Sequence, residues 1–363
     1  MEKELQSLLR GIEGADRAAM DAARRYQAQL AKPPGSLGKL ESAAVRLSGI
    51  TGKVHNEIEK CRVIVLCADN GIVEEGIGSA PRGVTAAQAV NMTRGWTGMS
   101  SIARAFSDDV QVVDVGIADA YDCPEILNCR IAPGTKNFLL EPAMTREETL
   151  RAVLTGAELA RQAMEDGISA VGVGEMGIGN TTTSAAVLCA LTGLAPERVT
   201  GRGGGITDEA FIRKKEVVRA GLERRMPDGG DPIDVLSKVG GLDLAAMCGV
   251  FLGAARYRLP AVIDGFISAV AALCAARLCP AAADCLFPSH ASYEIGYAAA
   301  IGELGLEPWL LLDMRLGEGS GCPLAFRLLQ AACAFTNGMA TFEKAAIDDD
   351  YLQPIRGKDC FSV

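Results

Sequence analysis

Two glutamates set among glycines are the residues of this chain best suited to move a proton. Glu318 lies in Leu316-Gly317-Glu318-Gly319-Ser320-Gly321, and Glu175 in Gly172-Val173-Gly174-Glu175-Met176-Gly177. A carboxylate held in place can serve as a general base. Neighbouring glycines accept positive φ and let a small molecule approach the backbone. Taken alone, Gly-Glu-Gly also reads as a tight turn with a solvated side chain. Three further acids, Asp69, Asp114 and Asp264, each follow an apolar run. Carboxylates rarely gather in an apolar protein without cause, because repulsion and desolvation are costly. Some of the five are expected to hold turn backbone, and one or two to face a ligand.

Two other stretches suit an anion. Gly177-Ile178-Gly179-Asn180-Thr181-Thr182-Thr183 looks like the start of a helix, whose free N–H groups hold phosphate well. A capped helix after a tight turn is the alternative. The pattern G-x-G-x-x-G fits residues 172–177, but no acid sits in a suitable strand about 20 residues on, so it is not the dinucleotide fingerprint. Gly201-Arg202-Gly203-Gly204-Gly205 is a second glycine cluster, with Arg213-Lys214-Lys215 downstream. Glycine loop and ammonium together could hold phosphate; a surface loop and a solvated basic turn are the alternative. For Lys238, in 231–241, and for His290 a structural role is the expectation.

These side chains need a scaffold that gathers them. Continuous apolar runs at 62–68, 110–113, 168–173 and 261–263 predict strands buried on both faces. A short strand is expected at 285–287 and a last one at 309–312. Helical periodicity covers 2–32 with a break at Gly14, then 84–92, 145–166, 181–194, 208–225 and 324–339. Ser36 is expected to cap a helix whose apolar face is Leu37, Leu40, Ala44 and Leu47. Strands alternating with helices imply an α/β fold with a mostly parallel, Rossmann-like sheet. Residues 1–58 lack a strand and predict a small helical subdomain. Asp69, Asp114, Glu175, Asp264 and Glu318 would then meet at the carboxyl edge of one sheet, where ligands bind.

Composition removes other classes. The chain has 363 residues, 49% of them hydrophobic, and a net charge of -9. No basic stripe with interleaved aromatics appears, so nucleic acid is not an expected partner. The opening residues show no signal-peptide apolar region, and the most apolar segment, 265–276, is too short to span a bilayer. The twelve cysteines form no C-x-x-C pair and read as reduced thiols of a cytoplasmic protein. With His55 and His290 the only histidines, a Cys/His zinc site is not expected. There is no P-loop, no G-x-S-x-G elbow, and no strand ending in paired acids before a Gly-Thr phosphate loop.

Several blocks together resemble one family, the nicotinate-nucleotide–dimethylbenzimidazole phosphoribosyltransferases. They are Lys32-Pro33-Pro34-Gly35-Ser36-Leu37-Gly38, Cys67-Ala68-Asp69, Val84-Thr85-Ala86-Ala87-Gln88 with Asn91-Met92-Thr93-Arg94-Gly95, Asp114-Val115-Gly116, residues 172–177 with Asn180-Thr181-Thr182, 235–241, and 314–321. The resemblance implies a parallel-sheet α/β catalytic domain, 59–325, a smaller helical domain built from both chain ends, 1–58 and 326–363, and a homodimer. It implies phosphoribosyl transfer from nicotinate mononucleotide to a benzimidazole in cobamide synthesis, without cofactor or metal. Glu318 matches the catalytic glutamate. Gln88, Leu316 and the Ser79-Ala80-Pro81 loop match the surroundings of the base, and an apolar slot is expected at Gln88, Met92 and Leu316, with Gly317 beside it. Glu175, Gly177, Asn180, Thr181, Gly203, Gly204 and Lys214 match the phosphoribosyl site. Asn70 stands where the family usually has a histidine, and the Ser79-Ala80 order is shifted by one residue. Both departures bear on the acceptor, and the same fold acting on adenine, a phenol or another benzimidazole is an alternative. A non-enzymatic nucleotide-binding regulator, with Glu318 dispensable, is the competing class.

Overall fold

The computed structural model describes residues 1–352 and 354. The end of the segment expected to close the helical domain, 326–363, lies outside the described residues. Six strands form one sheet: β1 (Cys61–Ala68), β2 (Asp109–Gly116), β3 (Leu127–Asn128), β4 (Ala170–Met176), β5 (Ala261–Ile263) and β6 (Leu286–Pro288). Their order is β3-β2-β1-β4-β5-β6, and every pairing is parallel. Parallel strands need covering on both faces, and β1 and β4 accordingly bury nearly every residue. The order reverses between β1 and β4, which opens a crevice at their carboxyl ends.

The helices before β4 are α1 (Glu2–Arg10), α2 (Arg17–Gln27), α3 (Lys39–Thr51), α4 (Val84–Thr93), α5 (Gly98–Ala105) and α6 (Arg146–Glu165). After it come α7 (Asn180–Thr192), α8 (Pro196–Val199), α9 (Asp208–Arg225), α10 (Pro232–Val239), α11 (Leu242–Arg256), α12 (Phe266–Leu278), α13 (Tyr297–Glu303), α14 (Cys322–Gly338) and α15 (Phe342–Ala345). Helices α11 and α12 pack on the sheet with α6 and α7 behind them, while α4, α5 and α14 also reach the strands. Each fully buried Leu, Ile or Phe of this core, such as Leu66, Ile64 and Phe251, contributes about 1.5–3 kcal/mol.

The segment after α2 meets the segment after α14. Leu30 and Thr341 form an antiparallel bridge, flanked by Ala31 N–H donating to Ala340 at 2.9 Å and Phe342 N–H to Gln29 at 2.9 Å. Helix α14 packs on α3, and Met20, Ala23 and Val45 form a small apolar cluster of their own.

Two expectations need correction, and one strand went unforeseen. The predicted strand at 309–312 is not a strand: only Leu310 bridges to His290, and Leu311 and Leu312 are 83% and 49% exposed. Ser36 does not cap α3; the N-cap is Gly38 at φ 52, without a side-chain hydrogen bond. Glu41 instead reaches back to the Leu37 N–H at 2.9 Å and pairs with buried Lys32 at 2.7 Å. The two-residue β3 is too short and too exposed to show an apolar run.

Candidate active site

Glu318 sits where the chain turns from the exposed 309–316 segment into α14. Its φ is 64°, between Gly317 at 78° and Gly319 at 86°. Three successive left-handed residues are tolerated because two are glycine, and the one that is not stores strain of about 1–3 kcal/mol. The turn is fastened from below by Asp264, at the end of β5, which accepts from the Gly319 N–H at 3.0 Å and the Gly321 N–H at 2.7 Å. It also lies directly on β4: a Cβ at Gly174 would fall 2.5 Å from the Glu318 carbonyl oxygen. Strand β4 thus needs glycine there for the turn to approach.

The Glu318 side chain is 5% exposed and meets neutral donors. Gln88 Nε2, from α4, donates to Oε1 at 3.4 Å, and the Met99 N–H, at the start of α5, donates to Oε2 at 3.4 Å. Burial raises its proton affinity, and hydrogen bonds from Met99, Thr97 and Gln88 offset part of that. Such a carboxylate is ready to take a proton.

Glu175 lies on the other side of the turn. Its Oε1 accepts from the Glu318 N–H at 3.3 Å, and its Oε2 from the Asn180 amide. Burial, then the nearby Asp243 carboxylate, push its pKa well above the usual range.

Glu175 also faces a cavity with about 880 Å³ of empty space, its open mouth included. Helix α7 begins on one wall, with Gly177, Asn180 and Thr181. Ser79, Gly203 and Gly204 close over it, and Arg202 and Arg315 stand at the same cavity. Lys214 reaches in from α9, 1% exposed, and donates to Thr181 Oγ1 at 2.8 Å. Burial pushes its ammonium down to about 8, with Glu294 acting the other way. An N-terminal helix turn, a glycine loop and a buried ammonium together can hold a phosphate.

The comparisons with known proteins agree over almost the whole chain. A phosphoribosyltransferase family profile matches residues 12–347. The nicotinate-nucleotide–dimethylbenzimidazole phosphoribosyltransferase of Clostridium perfringens is 51% identical, covering 99% of both chains. That of Clostridium tetani is 46% identical over 98% of this chain and 99% of its own. The chain belongs to the nicotinate-nucleotide–dimethylbenzimidazole phosphoribosyltransferase family. A crystal structure of the Thermus thermophilus member superposes with a TM-score of 0.86 at 41% identity, covering 92% of this chain and 99% of that one.

In this phosphoribosyltransferase the structure brings most of the sequence-predicted residues together. Ser79, Glu175, Gly177, Asn180, Thr181, Gly203, Gly204, Lys214, Leu316 and Gly317 all line the cavity. Gln88 and Glu318 form the adjoining cluster. Met92 does not join them: it is 1% exposed, inside the core, and is not part of the cavity wall. Leu316 is 56% exposed and packs over Gly98.

The sequence reading left out Thr97, Met99, Glu294, Arg315 and Asp243. Thr97 carried a signal: with Ser100 it forms a capping box at the start of α5, which aims the Met99 N–H. Asp243 gave none beyond an acid in the first turn of a helix. Lys238 pairs with Asp234 at 2.9 Å and keeps the structural role expected of it. His290 is buried, contacts Ser289 Oγ at 3.0 Å, and burial lowers its pKa to about 4. The imidazole is therefore neutral near pH 7.

Proposed function

We infer that this chain transfers the phosphoribosyl group of nicotinate mononucleotide to 5,6-dimethylbenzimidazole, giving α-ribazole 5′-phosphate and nicotinate for cobamide synthesis. The observation that carries this reading is Glu318: a buried carboxylate with neutral hydrogen-bond partners, beside a cavity with a buried ammonium. The relatives named above have the same activity in their names.

The donor carries a cationic pyridinium. As its C1′–N bond breaks, the electron pair returns to the ring and nicotinate leaves without acid or metal. One acceptor nitrogen attacks C1′ from the opposite face, which turns a β-linked donor into an α-linked product. The other nitrogen's N–H proton passes to Glu318, the general base. Glu175 lies on the ribose side and favours the positive charge that develops at C1′. Lys214, Thr181, the start of α7 and the Gly203-Gly204 loop hold the 5′-phosphate, with Asn180 and Gly317 around the sugar; Ser79, matched by the resemblance to the surroundings of the base, lies against Gly204. Gln88 and Leu316 border the flat base; Asn70, which the resemblance set near the acceptor, lies instead beside Gly177 and Gly179 at the start of α7.

We also propose a homodimer in the cytoplasm. Leu311, Leu312, Leu316 and Tyr293, 83%, 49%, 56% and 67% exposed, give the 292–316 face an apolar surface that a second copy would cover. No described helix is long and apolar enough to cross a membrane. Incubation with nicotinate mononucleotide and dimethylbenzimidazole tests the reaction: nicotinate is released only when both are present. A panel of adenine, phenols and other benzimidazoles defines the acceptor, and no release with any of them would refute the transfer.

A further inference from the structure

Helix α11 is buried over all but its last residue, yet its second residue is an acid, Asp243, at 0% exposure. An aspartate in a first helical turn favours the macrodipole, and Oδ1 does accept from the Leu244 N–H at 2.9 Å. A solvated aspartate would serve that purpose without the cost of burial. The other oxygen is what needs explaining. Oδ2 accepts no full hydrogen bond and lies against the cavity wall: a Cβ at Gly177 would fall 2.8 Å from it and 3.0 Å from Asn70 Nδ2. The Asn180 and Asn70 amides face the same carboxyl group. Asn180 is the amide that donates to Glu175 Oε2, and it lines the cavity beside Glu175 and Gly177.

Asn180 has two amide hydrogens, and two carboxylates, Glu175 and Asp243, face it. We propose that Asp243 is a positioning residue for the transfer: it fixes the Asn180 amide and, through it, the orientation and charge of the Glu175 carboxylate beside the ribose. This rests on the reading that Glu175 faces the sugar.

Both members of the pair are buried acids. Asp264 and Glu318 face Glu175 from β5 and from the Glu318 turn, Cys67 of β1 lies behind both acids, and Lys214, His290 and Glu294 share the cavity. Two anions so placed cannot both ionise freely. Asp243 therefore holds Glu175 in register and restrains its ionisation, so that its charge is available only over a limited pH range.

The test uses the full chain and measures kcat and KM for both substrates across pH, together with Tm. Asp243→Asn keeps shape and loses charge. The expected result is a kcat lower by about tenfold or more, an unchanged KM for dimethylbenzimidazole, and a Tm that does not fall. The acid limb of kcat moves to lower pH, because Glu175 then ionises without an anionic neighbour. Asn180→Ala gives a comparable loss, and the double variant is no worse than the poorer single, as for residues of one network. Wild-type kcat and acid limb in Asp243→Asn, or losses that multiply in the double variant, overturn the proposal. If Asp243→Asn does not fold, Asp243→Ser is read in the same way. A wild-type protein that releases no nicotinate in the same assay defeats the assigned activity instead, so the two failures are distinguishable.

Discussion

Strands β2 and β4 flank β1, and each carries a buried acid near its carboxyl end, yet the two acids live differently. Asp114, at 0% exposure, accepts from the Gly116 and Ile117 N–H groups at 2.9 and 2.7 Å, from Tyr121 at 2.7 Å, and from Arg130 Nε and Nη2 at 3.0 and 2.8 Å. Every lone pair is committed to the chain between the end of β2 and the residues just after β3. Glu175 has one neutral amide, one longer N–H contact from Glu318, and two more acids, Asp243 and Asp264, for neighbours. In this sheet, burial and position at a strand exit do not separate a carboxylate proposed to act on the substrate from one that holds backbone. The number and sign of its partners do.

That contrast can be broken from either side. The largest effect is expected at Glu318, which shares the poorly partnered region. Glu318→Gln keeps its size and hydrogen bonds but takes no proton, so steady-state kinetics are expected to show kcat lower by about 10²–10⁴-fold with both substrates still bound. On the other side, Asp114→Ala leaves buried donors and Arg130 unpaired. Urea unfolding should register a loss on the order of 3–5 kcal/mol, while kcat of the folded protein stays within a few-fold of wild type. A collapse of kcat there, without loss of stability, would erase the distinction.

Lys214→Ala comes next and should act on binding. Losing a charged hydrogen bond costs about 1.5–3 kcal/mol, so KM for nicotinate mononucleotide rises roughly 10–100-fold with little change in kcat. Because burial holds Lys214 near 8, the wild-type kcat/KM for that substrate should fall as pH climbs past about 8. The variant should lack that fall. The smallest effect concerns stability against pH. Burial raises Asp243 to about 6, so the folded state binds its proton more tightly than the unfolded chain does. That contribution is complete below the unfolded carboxyl value near 4 and is lost as pH rises through about 6. Asp243→Asn should therefore gain on wild type across this window, by roughly 2–3 kcal/mol, and stay level above it. Thermal melts at a series of pH values check the difference.

Much of this was readable from the residue order. Helix α9 and strand β5 fall where periodicity and the apolar run place them, because each is local and strongly patterned. Asp69, Asp114, Glu175 and Asp264, at the ends of β1, β2, β4 and β5, were legible as a group, whereas Glu318 follows no strand; the structure shows Asp114 and Asp264 holding turns. What sorts them, the partners contributed by α4, α5, α7 and α11, comes from residues far away in sequence. The run at 309–312 misled for a related reason. Four apolar residues in a row look alike whether they enter a sheet or lie on an apolar surface. Here Leu310 alone makes a bridge, and Asp313 turns the chain at φ 52. Asp243 was hidden by its company, one acid at the head of a long apolar run.

The left-handed backbone at Glu318 also bears on how this protein would respond to laboratory selection. Replacing Glu318 by glycine would relieve the torsional strain and take a carboxylate out of a dry site, so a screen for heat resistance would reward it. A screen for turnover would discard it. Asparagine, which tolerates positive φ, would look benign in the first screen and dead in the second, while valine or isoleucine would fail both. A saturation library at this codon, scored twice, would thus separate what the backbone tolerates from what the chemistry demands.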